Sequence, residues 1–476
     1  MVQLITNAPR FKNDIAEEIR LFLGMVDIEE TGADPELICT VTLEEKEAVC
    51  ILMPGGTEGR APVMAYEGAL DEKRQQKRAV KLCTYRAMQQ RFEMPTPWGS
   101  LTGIRPTKLY REILHAKGQE EADREFRELF TVSPEKLALT QTITRVQRPY
   151  IASAGRRDVD VYLGIPYCKT RCLYCSFGAE IAKKEGMLDA YVAYIKQDIA
   201  QGAAMLRELG YTLRCAYFGG GTPTVLSAGQ LFELLTFARA QYGGFGAEFT
   251  VEAGRPDTIT PEKLRVLKDC GVSRISINPQ TMQDKTLRTI GRFHTGEDIR
   301  RAFAQAREAG FTSINMDVIA GLPGETLEDF ASTLTQIREM GPENLTVHTL
   351  AIKRSSRLKE RLEEYPLPDG ETAEAMVRLG AEEAARMGME PYYMYRQKYM
   401  NGNLENVGYA RPGTECMYNI DMMEETVSIL AHGAGAMTKR VYGGENRVER
   451  LPNPKDVPTY FAKLPRLFEG KQALFE

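Results

Sequence analysis

The sequence predicts an α/β protein whose centre is an incomplete (β/α)6 barrel, flanked by an α+β N-terminal domain and a C-terminal domain that covers the barrel's open end. Three observations predict it. Six apolar runs of strand length recur between residues 161 and 351, separated by amphipathic stretches, which is the pattern of parallel strands joined by crossover helices. The intervening stretches carry helix start and stop signals. Polar or glycine-rich groups interrupt the apolar runs near their C-terminal ends, where barrel enzymes assemble their sites.

Taken in order, the first 155 residues contain two strand-like runs, ELICTVTL and AVCILM, and a long helical stretch from Leu70 to Phe92. The Gly and Pro punctuation of LTGIRPTKLYREIL and the broken periodicity of RPYIASAGRRDVD end this region, which predicts a boundary at residues 150–158 and an accessory domain over 1–155. The barrel is expected over 156–355, with strands VYLGIP (161–166), RCAYFGG (214–220), EFTVEA (248–253), SRISINP (273–279), SINMDVIAG (313–321) and LTVHTLA (345–351). Ser227 with Gln230 forms a capping box, and Thr260 followed by Pro261 opens a helix that closes at Cys270-Gly271. Periodicity alone leaves an open doubly wound sheet and a curled barrel equally possible. Beyond 355 a charged linker, a helix at ETAEAMVRLGAEEAARMG and the aromatic-rich PYYMYRQKYMNGNLENVGYA predict a C-terminal domain over 356–476.

Composition excludes several classes. The 61 Lys and Arg nearly balance the 65 Asp and Glu, and a net charge of -4 supplies no field that would draw the chain to nucleic acid. No apolar run reaches the length of a membrane span, and charges interrupt the N-terminus where a signal peptide needs an apolar core, so a cytoplasmic protein is expected. The 9 cysteines are an odd number spread over a long chain, which argues against a secreted disulfide framework. Cys39, Cys50, Cys83, Cys215 and Cys270 lie in apolar contexts and are expected to be buried small hydrophobes.

Three cysteines differ. Cys168, Cys172 and Cys175 follow directly on the first barrel run with gaps of three and then two residues. Three thiolates in one loop can hold three irons of a [4Fe–4S] cubane, leaving the fourth iron open to a chelating ligand such as the amino and carboxylate groups of a methionine moiety. A Cys3His zinc site also needs a tight cysteine loop, but no His lies in this one and only 4 exist in the chain. At the second strand end, Phe218-Gly219-Gly220-Gly221-Thr222-Pro223-Thr224 lets backbone approach a ligand closely. Glu252, Gln280 and Asp317 place polar side chains at the third, fourth and fifth strand ends. Each is also the pattern of a hydrogen-bonded core polar residue.

With these motifs in place the sequence resembles the radical S-adenosylmethionine (SAM) superfamily, which selects the partial barrel. From Tyr162 to about Leu350 it looks most like the oxygen-independent coproporphyrinogen III dehydrogenases. LTGIRPTKL, the Arg396-Gln-Lys stretch and GAGAMTKR resemble the variant branch of that family called HemZ. The resemblance implies a [4Fe–4S] cluster on Cys168, Cys172 and Cys175. It implies SAM held by Tyr174, Gly220, Gly221, Thr222, Glu252, Gln280, Arg292 and Asp317, and a catalytic Tyr162 matching the family's Tyr-x-His-Ile-Pro-Phe-Cys as Tyr-Leu-Gly-Ile-Pro-Tyr-Cys.

The implied reaction is oxidative decarboxylation of two coproporphyrinogen III propionates to vinyl groups by a 5′-deoxyadenosyl radical, giving protoporphyrinogen IX in haem biosynthesis. The porphyrinogen's carboxylates call for cations, and Lys169, Arg171, Lys353, Arg354 and Arg357 stand in loops expected at the barrel mouth. An electron donor and an electron acceptor of unspecified identity complete the expected partners. Gly164 stands where the family pattern has His, and Phe177 where a fourth nearby Cys would be. The sister family of haem chaperones carries a Cys-Arg-His-Asn stretch that is here Cys416-Met417-Tyr418-Asn419. A haem-carrying protein and a haem-modifying radical SAM methyltransferase are the alternative readings.

Overall fold

The structure is a computed structural model that describes the whole chain except residues 25, 32–33, 95, 104, 177–179, 183–185, 354, 398–402 and 444–446. Phe177, Arg354, Lys398 and Ile104, each singled out by position or motif above, lie outside the described residues. The chain divides into two compact units, Met1–Gln141 with Arg396–Leu404, and Thr142–Tyr395 with Glu405–Glu476. No described helix is long and apolar enough to cross a membrane.

The first unit is α+β. Strands β1 (Val2–Thr6), β2 (Ile28–Glu29), β3 (Leu37–Leu43), β4 (Glu47–Met53) and β5 (Thr57–Pro62) form one sheet in the order β2-β1-β3-β4-β5. β3 and β4 alternate buried and open residues because one face of the sheet packs on helices Lys12–Leu23 and Gly68–Phe92. In the 396–404 segment, Arg396 spreads its guanidinium over the Trp98 ring at 5.3 Å and donates to the Leu101 carbonyl.

The second unit carries the α/β architecture. Six parallel strands lie side by side in chain order: β6 (Asp158–Ile165), β9 (Thr212–Gly220), β10 (Glu248–Gly254), β11 (Arg274–Ile277), β12 (Ile314–Ala320) and β13 (Asn344–Thr349). Two short strands, β7 (Tyr167–Cys168) and β8 (Glu180–Ile181), pair just beyond β6. The expected capping box at Ser227 is present, and Thr260 caps the helix Pro261–Asp269 through the Lys263 amide.

The six strands do not close on themselves. Beyond β13 the sheet continues antiparallel through β15 (Asn406–Ala410) and β14 (Glu390–Tyr395). Beyond β6 it adds β16 (Ser428–His432), parallel to β6, and then the antiparallel β17 (Met437–Tyr442) and β18 (Arg447–Pro452). Most of the stretch expected to cover the barrel from outside therefore extends its sheet at both edges.

The core behind β6 and β16 is stitched by a buried ion network. Asp198, on the helix Met187–Glu208, meets Lys471 Nζ at 2.6 Å, the Tyr460 hydroxyl at 2.7 Å and His432 Nδ1 at 3.0 Å. Lys471 and His432 are fully buried. This network ties the last helix, Val457–Phe475, to the end of β16 and so fixes the turn Gly433–Ala436 that follows it.

Candidate active site

Parallel strands deliver their C-terminal ends to one edge, and the cysteine loop and the glycine turn meet there. Cys168 lies in β7, directly after β6; Cys172 is buried, and Cys168 and Cys175 are half-buried. All 9 cysteines are unbridged. The loop is held by its surroundings: Thr170 Oγ1 donates to the Gly291 carbonyl (2.9 Å), Leu173 N to the Ile290 carbonyl (3.0 Å) and Arg171 to the Ser355 carbonyl (2.8 Å).

Groups around the thiols suit thiolates. The Thr222 hydroxyl donates to Cys168 Sγ (3.5 Å) and Arg255 Nη1 to Cys172 Sγ (3.8 Å), while the Arg292 guanidinium adds a further positive charge near Cys172. Burial pushes the Cys168 thiol up, with the Thr222 hydroxyl opposing the shift. Donors and cations converging on three clustered sulfurs fit a thiolate-bound metal cluster, which needs positive groups to offset its negative charge. A zinc site would need a fourth protein ligand. His294 keeps both ring nitrogens without a hydrogen-bond partner and sits beside Asp257 and Arg255, and the structure records no described His in contact with the three cysteines.

The glycine turn after β9 makes a cradle against this loop. Gly220 has φ +105°, a conformation side chains avoid, and a Cβ there would stand 2.9 Å from the Ile165 carbonyl. A Cβ on Gly221 would stand 2.4 Å from the Tyr167 carbonyl. The backbone is locked in that approach by Gly221 N to Ile165 O (2.6 Å) and Thr222 N to Tyr167 O (2.8 Å). Gly220 and Gly221 line a cavity of about 300 Å³ with Tyr162, Gly164, Ser176 and Lys455, closed on one side by Ala434–Ala436. A Cβ on Gly164 would already meet the His432 carbonyl at 3.2 Å and the Ala436 Cβ at 3.7 Å, so the Gly433–Ala436 turn takes up room a longer side chain would need.

A second, polar cavity of about 190 Å³ lies inside the barrel. Its lining includes Tyr217, Glu252, Arg274, Asp317, His348 and Tyr393. Glu252 accepts from the Tyr217 hydroxyl at 2.6 Å, and burial pushes its carboxyl up to about 7. Asp317 sits mid-strand in β12 rather than at its end. Burial would raise its carboxyl, but hydrogen bonds from His348, Asn315 and Thr346 outweigh that and hold it below the usual range. Tyr217 stacks on Tyr162 (6.2 Å) and Tyr418 (4.5 Å), which links the two cavities.

Of the remaining expected residues Tyr162 lines the first cavity, whereas Gln280, Arg292 and Tyr174 are not in the lining of either. Gln280 lies three residues past β11 with φ +67°, bridged by its backbone to Asp317 and Ile319, and its Oε1 is buried without a partner. Arg292 is buried, donates to the Asn278 carbonyl and reaches both Cys172 and Tyr174. Burial keeps the Tyr174 and Tyr162 hydroxyls protonated. The five cysteines expected to be buried are buried, but Cys215 is not in an apolar setting: its Sγ donates to Asp160 at 3.0 Å. Asp160, Cys215 and Asp421 form a further trio of potential ligands within 4.8 Å of one another. Burial drives Asp160 and Cys215 far above their ordinary values, so these two stay protonated, while Asp421, raised only to about 6, is the carboxylate partner of Arg214 at 2.7 Å; the trio reads as a hydrogen-bonded cluster beside an ion pair.

Sequence reasoning missed Arg255, the lumen residues Tyr217, Asn315 and His348, and the Gly433–Ala436 wall. A period-two polar pattern inside otherwise apolar strands, Glu248-x-Thr250-x-Glu252 being the clearest case, was the available signal for the lumen.

Comparison with known proteins agrees with the geometry. The family model for the radical SAM superfamily matches residues 162–337. The oxygen-independent coproporphyrinogen-III oxidase-like protein HemZ of Bacillus subtilis is 39% identical over 370 residues, covering 76% of this chain and 74% of that protein. The heme chaperone HemW of Escherichia coli is 30% identical over 264 residues, covering 55% of this chain and 65% of that protein. The solved structure of coproporphyrinogen III oxidase HemN from Escherichia coli, a radical SAM enzyme, shares the fold with a TM-score of 0.55 at 23% identity, over 68% of this chain and 73% of that one. The chain thus belongs to the radical SAM superfamily and, within it, to the oxygen-independent coproporphyrinogen-III oxidase-like family.

Proposed function

We propose that the protein is an oxygen-independent coproporphyrinogen III dehydrogenase that converts propionate side chains to vinyl groups. The observation that carries this reading is the three-thiol loop facing a glycine cradle at the head of a polar barrel lumen, in a chain 39% identical to an oxidase-like relative. Cys168, Cys172 and Cys175 hold a [4Fe–4S] cluster. The bound cluster and SAM supply a 5′-deoxyadenosyl radical, chemistry that belongs to the cofactors while the protein orients and shields it.

The chain's own residues do the rest. Gly220, Gly221 and Thr222 offer backbone and hydroxyl groups to the methionine end of SAM. Glu252, Gln280, Arg292 and Asp317 surround its nucleoside, with Gln280 Oε1 and the Asp317 carboxylate as acceptors for hydroxyl or amino hydrogens. Tyr174 braces Arg292, and Tyr162 keeps its proton and directs its hydroxyl to the cradle, beside the reacting groups. Of the cations expected to meet substrate carboxylates, Lys169 is taken up by Asp257 and Arg171 by the Ser355 carbonyl. Lys353, half-buried near Cys175 and lowered by that burial, is the cation offered for a propionate. Loss of CO2 from the substrate radical releases one electron, so a one-electron acceptor is required besides the donor that reduces the cluster. A cytoplasmic setting, where thiols stay reduced, goes with this chemistry.

Likeness to the heme chaperones favours a haem-carrying protein as the second reading. Cys416 speaks against the matching stretch as its haem site: it is buried and donates to Glu248 at 3.1 Å, and Tyr418 is buried in the tyrosine stack. Anaerobic reconstitution followed by separate incubation with coproporphyrinogen III and with haem tests the choice. Vinyl-bearing product and 5′-deoxyadenosine are expected from the first. Tight haem binding or methyl transfer to haem, without any decarboxylated product, would move the assignment to a rival.

A further inference from the structure

We propose that Arg255 sets the reduction potential of the cluster held by Cys168, Cys172 and Cys175. The inference rests on the cluster reading above and is independent of the identity of the substrate.

Arg255 opens the turn Arg255-Pro256-Asp257 immediately after β10, and only 3% of it is exposed. Its guanidinium is fixed on three sides. Nε and Nη2 fork onto the two Asp257 oxygens at 3.0 and 3.2 Å. Nη1 donates to the Thr170 hydroxyl at 2.7 Å and stands 3.8 Å from Cys172 Sγ. The fork consumes the far edge of the group and leaves the near edge turned to the sulfur.

A cluster gains one negative charge on reduction. A buried cation and an N–H donor beside a ligating sulfur stabilise that added charge, and hydrogen bonds to sulfur, together with net charge, are the protein's main levers on cluster potential. Burial lowers local screening, so the effect exceeds what an exposed Lys such as Lys169 exerts at the same loop. Asp257 sits across the guanidinium from the sulfur. Arg255, Lys169 and His294 around it hold its carboxyl below the usual range against the burial that would raise it. It anchors Arg255 and damps its field without reversing it. Arg292 carries charge near the same sulfur, but it is already engaged with the cofactor site in the proposed function. Arg255 is held by Asp257 and the cysteine loop and by no residue assigned to SAM, and so acts through Cys172.

The competing role is a plain staple of the cysteine loop through Thr170. Three variants of the reconstituted full chain separate the two, read by a potentiometric titration followed by electron paramagnetic resonance, with no SAM and no porphyrinogen present. Arg255→Gln removes the charge and is expected to shift the reduction equilibrium about tenfold against the reduced cluster, 59 mV for one electron. Arg255→Lys keeps the charge, loses the fork and should shift it by clearly less. Asp257→Asn leaves the guanidinium undamped and should shift the equilibrium the opposite way. Wild-type potentials in all three, equal shifts for Gln and Lys, or a shift of Asp257→Asn in the same direction as Gln would overturn the proposal. If Arg255→Gln fails to retain iron, Thr170→Val decides, because it removes the staple and keeps the guanidinium: a potential near wild type supports the charge role, and a shift as large as tenfold overturns it. A wild-type chain without a cluster signal would defeat the cluster reading itself, whereas a normal titration without any porphyrinogen turnover would defeat only the substrate assignment.

Discussion

Lys471→Met perturbs the network that fixes the Gly433–Ala436 wall of the glycine cradle. Methionine keeps most of the stem volume and deletes the ammonium. Lys471 is fully buried with Nζ 2.6 Å from Asp198 Oδ1, and removing one partner of a buried ion pair costs about 3–5 kcal/mol. With an unfolding entropy of about 2.1 cal/mol/K per residue over a unit of roughly 330 residues, that is a fall in Tm of about 4–7 °C. The pH dependence identifies the cause. In the wild-type fold burial depresses His432 below its ordinary value, Lys471 adds to the depression and Asp198 opposes it. A buried His so depressed makes the wild type lose stability as pH falls through about 6.5. Without Lys471 the Asp198 carboxylate opposes burial alone, so His432 is depressed less and the variant loses less stability than the wild type as pH falls through about 6.5. Asp198 itself is held far below the usual range, and its own contribution fades only below about pH 4. The Tm gap between wild type and variant should therefore narrow from pH 8 to pH 5.5, measured by thermal unfolding of the reconstituted proteins. A variant within one degree or so of wild type at pH 8, or a gap of constant size across that range, would refute the reasoning.

Replacing Cys168, Cys172 or Cys175 by Ala should lower iron and sulfide from about four each per chain and abolish SAM cleavage; a variant that keeps full activity with zinc bound would sink the cluster. Gly221→Ala forces a methyl to within 2.4 Å of the Tyr167 carbonyl, so SAM affinity, read by equilibrium binding, should drop at least tenfold while iron content holds; unchanged affinity would remove the cradle from the site. Glu252, pushed up to about 7 by burial, favours the fold in its protonated form, which costs stability as pH rises from about 4.5 through 7. Glu252→Gln should therefore be roughly 1–3 kcal/mol more stable than wild type at pH 8 and nearly equal to it at about pH 4, measured by denaturant unfolding without SAM; equal stability at both pH values would contradict the shift.

The barrel was legible because its information is local. Each of the six runs read from the sequence overlaps an observed strand, from VYLGIP within or beside Asp158–Ile165 to LTVHTLA over Asn344–Thr349, and the caps at Ser227 and Thr260 mark helices as read. The missed parts depend on distant pairing or on weak edges. Thr57–Pro62, the strand TEGRAP, carries Gly, Pro and charges, and is a strand only because β4 templates it from one side. SILAH at Ser428–His432 is five residues long and pairs with β6, which lies far upstream; no pattern inside the segment announces a partner so remote. The same limit hid Arg255, since nothing in Arg255-Pro256-Asp257 signals that the cysteine loop returns to within 3.8 Å of its guanidinium. Polar and glycine residues near strand ends could be read one by one as candidates. Their division between a cradle cavity and a lumen cavity was not, because it depends on which pleat faces inward.

The most direct test of the proposed activity follows the hydrogen. Coproporphyrinogen III deuterated at the propionate carbon next to the pyrrole ring is incubated anaerobically with the reconstituted protein, SAM and a low-potential reductant, and 5′-deoxyadenosine and porphyrinogen products are analysed by mass spectrometry. Deuterium appearing in 5′-deoxyadenosine, together with product that has lost CO2 and two hydrogens for each vinyl group formed, is the predicted result. Unlabelled 5′-deoxyadenosine with all four carboxylates of the substrate intact would contradict it.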